Sequence, residues 1–129
     1  MDLSKLNTKS ASNTPRTLKL RNPFTKELIK DGDKYLEINL LGIGSDAAKN
    51  ASAEQSRAKT DDMTEDQKAK IGAEFLAKLT TGWSDNFELG DEKLKFNYEN
   101  AVKLYLSEDW IGTQVLQFVT NLKNYDPNA

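Results

Sequence analysis

The chain has 129 residues, of which 37% are hydrophobic and 29% charged, enough for one compact domain with a strongly polar surface and too few for two ordinary domains. It contains no His and no Cys, which excludes thiolate zinc sites, iron–sulfur clusters, disulfides and Ser-His-Asp or Cys-His catalysis. The net charge of −2 predicts no general attraction to nucleic acid or to an anionic membrane, and no apolar run reaches the roughly 20 residues of a membrane span.

Charge is distributed unevenly along the chain. Residues 1–21 carry a net charge of +4, residues 22–60 are balanced, and residues 61–129 carry a net charge of −6. Residues 1–16 are mostly Ser, Thr, Asn and Lys without helical or strand periodicity, so we expect a flexible basic N-terminal arm. This arm is either a solvated tail, or it docks on the acidic face of a neighbouring copy through charge complementarity that salt would weaken.

The first element after the arm is predicted to be a β-hairpin. Apolar and polar residues alternate over 17–21 and again over 35–41, which is the pattern of half-buried strands. Pro23 ends the first strand because it has no N–H to donate, and Asp31-Gly32 signals a turn. The two strands should therefore pair antiparallel across a long, irregular connection.

An alanine-rich helix is expected next, from a cap at Ser45 or Asp46 to about Lys59. Alanines supply nearly all of its apolar surface, so it gains little free energy from packing against its own domain. It therefore stays exposed and mobile, packs closely along its alanine face, or is ordered by a partner. The candidate partner-binding residues on this helix are Ala47, Ala51 and Ala58.

A second helix is predicted to begin at the capping box formed by residues 64–67 and to run from Glu65 to about Thr80. Gly82 is expected to end it. Its core face is a single apolar stripe at helical spacing, made of Ile71, Phe75, Leu76 and Leu79.

The last third of the chain is predicted to hold a small β element and two more helices. Gly90-Asp91 can reverse the chain between two short alternating segments, which gives a second hairpin or an extended loop. Asn97 caps a helix over 98–106, and Ser107 caps a last helix over 108–123. The expected fold is α+β, an N-terminal hairpin followed by about four helices, in a single domain over 17–125 with a C-terminal tail at 126–129.

No residue pattern indicates catalysis. The 20 Asp and Glu residues lie mostly in predicted caps, turns and polar helix faces, where solvation accounts for them. Asp61-Asp62 lacks the alternating acids, glycine and distant Glu of a calcium loop. The Lys and Arg residues are dispersed, without a basic stripe for nucleic acid. We expect no enzyme activity, cofactor or metal ion.

Two tryptophans are the other candidate partner-binding residues. Trp83 follows the end of one predicted helix, and Trp110 lies at the start of another. Both are expected to anchor helix packing. The alternative is that one of them is partly exposed at a protein–protein interface, where Trp is enriched among the residues that contribute most binding energy.

The order of these motifs resembles that of the tail assembly chaperones of long-tailed bacteriophages. Those proteins begin with a strand, a Pro-x-Thr-Gly-Glu-like reversal and a second strand ending near Leu-Gly, and their middle helix ends in Gly-Trp. Lys26 stands where the family has glycine in the reversal, and the long polar arm is not typical of the family. The matching segments here are 22–28, 38–42, 45–46, 82–83, 96–101, 104–105 and 108–111, within a resemblance that spans residues 17–123.

The resemblance implies a non-enzymatic role in building a phage tail. Family members coat the long, helical, aggregation-prone tape measure protein and recruit tail tube subunits around it. They act in the host cytoplasm, are absent from the finished virion and tend to self-associate. The alternatives are another small phage structural protein, such as a head–tail connector or tail component, and an unrelated enzyme that uses paired carboxylates.

Overall fold

The computed structural model describes residues 1–128, and its sheet confirms the predicted hairpin. Strands β1 (Arg16–Lys19) and β4 (Glu37–Leu40) pair antiparallel, with Arg16 opposite Leu40 and Lys19 opposite Glu37. A third strand, β5 (Thr80–Trp83), pairs antiparallel with β4 and gives the order β1-β4-β5. The sequence prediction missed β5, because a Gly-Trp pair after a helix was interpreted only as a helix stop.

The connection between β1 and β4 is long and irregular, as predicted, and it contains its own small ribbon. Strands β2 (Lys30–Asp31) and β3 (Lys34–Tyr35) pair across a turn at Gly32, which has a φ of 65°. Lys26, in the reversal before them, also has a positive φ, 67°. A lysine there adopts the left-handed conformation that glycine takes without steric cost.

Within residues 1–128, four helices of ten or more residues pack around the sheet, and their starts follow the predicted caps with one exception. The hydroxyl of Ser45 accepts a hydrogen bond from the backbone N–H of Ala48 at 3.1 Å, and Thr64 and Gln67 form the predicted capping box. A second hairpin turns at Gly90, as expected. The elements are α2 (Asp46–Ala58), α3 (Glu65–Leu79), β6 (Glu88–Leu89), β7 (Glu92–Lys93), α4 (Tyr98–Ser107) and α5 (Asp109–Val119).

The last helix is shorter than predicted, and its predicted cap is wrong. The Ser107 hydroxyl donates to the backbone carbonyl of Lys103 within α4, so it does not cap α5. Helix α5 ends at Val119, and a separate 3-10 turn follows over Leu122–Tyr125. Leu122, which lies inside the predicted helix over 108–123, is in this 3-10 turn and is exposed.

Residues 1–16 differ from the expected flexible arm. They contain a 3-10 turn at Leu3–Leu6 and the short helix α1 at Thr8–Ser12. Ser12 is buried, and its carbonyl accepts a hydrogen bond from the N–H of Gly42 at 2.9 Å. A Cβ on Gly42 would lie 2.9 Å from the Ser12 hydroxyl. The arm therefore packs against position 42 at a distance that only glycine allows. The arm is ordered by local side-chain caps and by this close contact between Ser12 and Gly42. Neither feature produces an apolar periodicity in the sequence.

One hydrophobic core lies between the sheet and the helices. It joins Leu20 of the hairpin region, Ile38 and Leu40 of β4, Leu79 of α3 and Val115 of α5, among others. Near the end of the chain, Tyr125 is buried, and its hydroxyl donates to the Leu40 carbonyl at 3.1 Å. Within residues 1–128, no helix has both the length and the apolar character to cross a membrane.

Candidate interaction surfaces

An open groove runs between helices α3, α4 and α5, and we call it the helix groove. It has a volume of about 500 Å³. Its rim carries two exposed leucines, Leu106 of α4 and Leu116 of α5. The other lining residues are Gln55, Ala69, Gly72, Phe75, Leu76, Tyr105, Asp109, Gly112 and Thr113.

Two glycines in helices open the floor of the helix groove. A Cβ on Gly72 of α3 would meet no atom within 4 Å. A Cβ on Gly112 of α5 would make only ordinary contacts, 3.8 Å from Leu76 and from the carbonyl of Tyr105. Because neither glycine is required by crowding inside the chain, their missing side chains leave space on the surface for another molecule.

A second groove lies where the hairpin region meets the N-terminus of α5, and we call it the Trp110 groove. Its volume is about 430 Å³. Trp110 is half-buried on its wall, and its indole N–H donates to the Glu108 carboxylate at 3.1 Å. The other lining residues are Leu20, Asp31, Leu36, Asn86, Phe87, Glu88, Leu89, Leu104 and Ile111.

Trp83 has mainly a packing role in the structure. Its ring stacks on Phe87 with centroids 5.2 Å apart and meets Phe96 edge-on at 5.0 Å. Its indole N–H donates to the carbonyl of Leu94 at 2.9 Å, which ties β5 to the chain after the second hairpin. Phe87 also lines the Trp110 groove, so the two tryptophans lie near the same aromatic residue.

The N-terminal part of the alanine face of α2 packs against the rest of its own chain. Ala51 is buried, Ala47 is half-buried, and Ala58 is exposed at the C-terminal end of the helix. The Lys78 ammonium of α3 donates to the Glu54 carboxylate of α2. This contact raises the pKa of Lys78 and lowers the pKa of Glu54, since each charge stabilises the other.

Sequence reasoning missed the most exposed aromatic residue of the chain's described part. Phe24 is 92% exposed at the tip of the connection after β1. Its loop is held by the Asn22 side chain, which accepts hydrogen bonds from the N–H groups of Phe24 and Thr25 at 2.9 and 3.2 Å. The signal available in the sequence was an apolar residue directly after Asn22-Pro23, because Asn and Pro form turns and such turns lie at the surface.

The described residues do not form a cluster suited to a metal ion. Within residues 1–128, no three acidic side chains converge in a geometry that could hold one. The largest pKa shifts belong to the buried hydroxyls of Tyr105 and Tyr125, and burial raises the pKa of Tyr105 to about 12. Both hydroxyls make buried hydrogen bonds to their own chain, which is a packing role.

Comparison with known proteins adds no family assignment: no family model, curated protein or solved structure matches this chain.

Proposed function

We propose that this chain is a tail assembly chaperone of a long-tailed bacteriophage or prophage. In this role it is a non-catalytic protein that keeps the tape measure protein soluble and recruits tail tube subunits around it. The proposal rests on the order of sequence motifs over residues 17–123 and on one structural observation, the open apolar helix groove.

The helix groove is suited to an amphipathic helix. Amphipathic helices bind by laying apolar residues, spaced three and four apart, into a hydrophobic groove. Leu106 and Leu116 lie at the rim of the groove on two different helices, and a Cβ on Gly72 would meet no atom within 4 Å. Covering the exposed part of each leucine would contribute about 1 kcal/mol to binding. Tape measure proteins, which are long and helical, present many such faces.

Recruitment of tube subunits requires a second surface. Phe24 lies outside the helix groove on an ordered loop, so its ring can be buried by a partner with little loss of conformational entropy. We assign tube-subunit contact to Phe24. A Phe24→Ala variant should then capture the tape measure protein normally and lose tube subunits.

The test is capture of the chain by an immobilised tape measure fragment. Gly72→Trp fills the groove floor from a position where a side chain meets no other atom, and Gly72→Ala is the matched control. We expect wild type and Gly72→Ala to be retained and Gly72→Trp to be lost, with all three folded by circular dichroism. Equal retention of all three would contradict the helix groove as the client site.

Mass spectrometry of purified virions separates this function from that of a structural tail component. A chaperone should be missing from the particle. Detection of the chain at stoichiometric amounts would favour the head–tail connector or tail-component alternative.

A further inference from the structure

Strand β1 lies at the edge of the three-stranded sheet, and one of its two sides has no neighbouring strand. Among residues 1–128 it pairs only with β4. The N–H of Leu20, directly after β1, donates to the carbonyl of Leu36 at 2.9 Å. Because bonded positions alternate along an antiparallel pair, the even-numbered residues of β1 bond to β4. The N–H and C=O groups of Thr17 and Lys19 therefore point away from the sheet.

The next outward-facing residue along the chain, Arg21, already pairs with a side-chain amide. Gln114 of α5 accepts a hydrogen bond from the Arg21 N–H at 2.9 Å and donates one to the Arg21 carbonyl at 2.8 Å. An antiparallel strand makes the same two bonds to one residue of its neighbour. Gln114 thus closes one end of the edge. Within residues 1–128, the outward N–H and C=O groups of Thr17 and Lys19 have no hydrogen-bond partner.

A half-buried guanidinium without a partner lies at the other end of this edge. The Nε of Arg16 is shielded from solvent, and no acceptor in the described part of the chain bonds to it. The ion pairs among residues 1–128 do not include Arg16. A cation that loses water without gaining an acceptor costs free energy. The acceptor that fits the planar fork of a guanidinium is a carboxylate.

Protection of an exposed edge is the usual role of basic residues in an edge strand. That role requires the charge to stay in water. Lys19 meets this requirement, since its side chain is exposed and its ammonium lies 4.5 Å from the centre of the Tyr35 ring. Arg16 does not meet it, because its Nε is buried on the same half-buried face of β1 as Leu18.

The charge along this edge also indicates which strand could pair with it. Residues 14–26 contain four basic residues and no acidic residue. The same edge of a second copy would bring like charges together, which destabilises a strand pair. An extended segment that carries a carboxylate has the complementary charge.

We propose that the outer edge of β1 binds an extended, antiparallel segment of a partner protein, in which an Asp or Glu faces Arg16. The backbone of this segment bonds to Thr17 and Lys19, in the manner of a strand added to a sheet. An apolar residue two positions before the acid lies beside Leu18, on the same face. No residue that lines the helix groove belongs to β1, so this surface is additional to the proposed function.

The test uses the peptide acetyl-Val-Glu-Val-Thr-Glu-Thr-amide, whose second Glu lies opposite Arg16 when its first Thr lies opposite Thr17. Binding is measured by NMR titration of the isotope-labelled full chain. Wild type should bind with a Kd of about 1 mM, and the amides of Thr17 and Lys19 should shift most.

Substitutions of Thr17 separate backbone pairing from other contacts. Thr17→Pro removes an outward N–H and leaves the bonds from β1 to β4 in place. Thr17→Val is the matched control, because both variants lose the hydroxyl bond to Asn39. Thr17→Val should bind like wild type, and Thr17→Pro should bind at least about ten-fold more weakly. The peptide N-methylated at its first Thr makes the same test on unaltered protein and should also bind about ten-fold more weakly.

A charge-pair cycle tests the role of Arg16. Wild type should bind the peptide with Gln in place of the second Glu about ten-fold more weakly, and Arg16→Gln should bind the two peptides equally. Four results would each overturn the proposal. They are no shift of the wild-type amides at about 5 mM peptide, full binding of the N-methylated peptide, a preference of Arg16→Gln for the acidic peptide, and concentration-dependent shifts of Thr17 and Lys19 without peptide, which would assign the edge to a second copy.

Discussion

At the scale of single residues, Tyr105 shows how a buried hydroxyl is satisfied. Its oxygen lies 2.7 Å from the Thr80 hydroxyl, which donates its own proton to the Leu76 carbonyl at 2.9 Å. A hydroxyl has one proton, so Tyr105 must donate to Thr80. Deprotonation would place a charge in the core and remove this donor, and burial accordingly raises the pKa of Tyr105 to about 12.

This shift predicts a loss of stability at alkaline pH. The pKa of Tyr105 is higher in the folded state than its unfolded value of about 10. The contribution of Tyr105 to the free energy of unfolding is therefore complete below pH 10. It falls as the pH rises toward 12, by about 2–3 kcal/mol in total. Tyr125, whose pKa burial also raises, adds to the loss in the same direction. Urea unfolding of wild type and Tyr105→Phe at pH 8 and pH 11 measures it. The variant should lose less stability between the two pH values, and an equal loss would contradict the shift.

Substitution by alanine should have opposite effects on stability at two glycines. Gly72 lies inside α3 with open space around its Cα, so Gly72→Ala should raise the free energy of unfolding by about 0.5–1 kcal/mol through helix propensity. Gly42→Ala should destabilise the seat of the arm, because its Cβ would meet the Cβ of Ser12 at 3.0 Å. Thermal unfolding measures the first effect, and amide exchange at Gly42 measures the second. A Gly42→Ala variant that is more stable than wild type, and whose amide at position 42 is still protected from exchange, would contradict the described contact between Gly42 and Ser12.

At the scale of elements, α2 is held by close packing of small residues. Ala51 faces α3 and is buried, whereas Ala53, two residues later, is exposed. Ala51→Leu should overpack the α2–α3 contact and cost about 1–3 kcal/mol of stability. Ala53→Leu adds the same atoms on the solvent side and should change stability by less than about 0.5 kcal/mol. Equal effects of the two substitutions in urea unfolding would show that α2 does not pack on α3 as described.

The sequence was sufficient to predict elements whose signals are local. The hairpin, the capping box of α3 and the turn at Gly90 depend on alternation, side-chain caps and glycine, and all were predicted. Strand β5 was missed because its place beside β4 depends on tertiary pairing. Helix α5 was predicted too long because apolar residues continue past Val119 into a 3-10 turn.

The candidate surfaces were harder to predict than the fold. The sequence singled out Trp83, Trp110 and the alanines of α2, of which Trp110 lines a groove while Ala51 is buried against α3. The helix groove combines residues from four helices, two of which contribute an exposed leucine, Leu106 and Leu116. Which apolar residues stay exposed depends on how the helices meet, and no periodicity within one helix contains that information.

At the scale of the whole molecule, each proposed surface has a separate role. In the proposed function, the helix groove would take the client helix and Phe24 would contact tube subunits. Several copies bound along one long client would present repeated helix grooves. This repetition would raise the effective concentration of each groove for the next client segment, so weak individual contacts could still coat the client.

The most direct measurement of the chaperone function is the solubility of a full-length tape measure protein from the genome that encodes this chain, co-expressed with the chain. We expect the client to stay in the supernatant with wild type and with Gly72→Ala, and to sediment with Gly72→Trp or with no partner. A client that sediments equally in the presence of wild type would contradict the chaperone function, and a client kept soluble by Gly72→Trp would contradict the helix groove as its binding site.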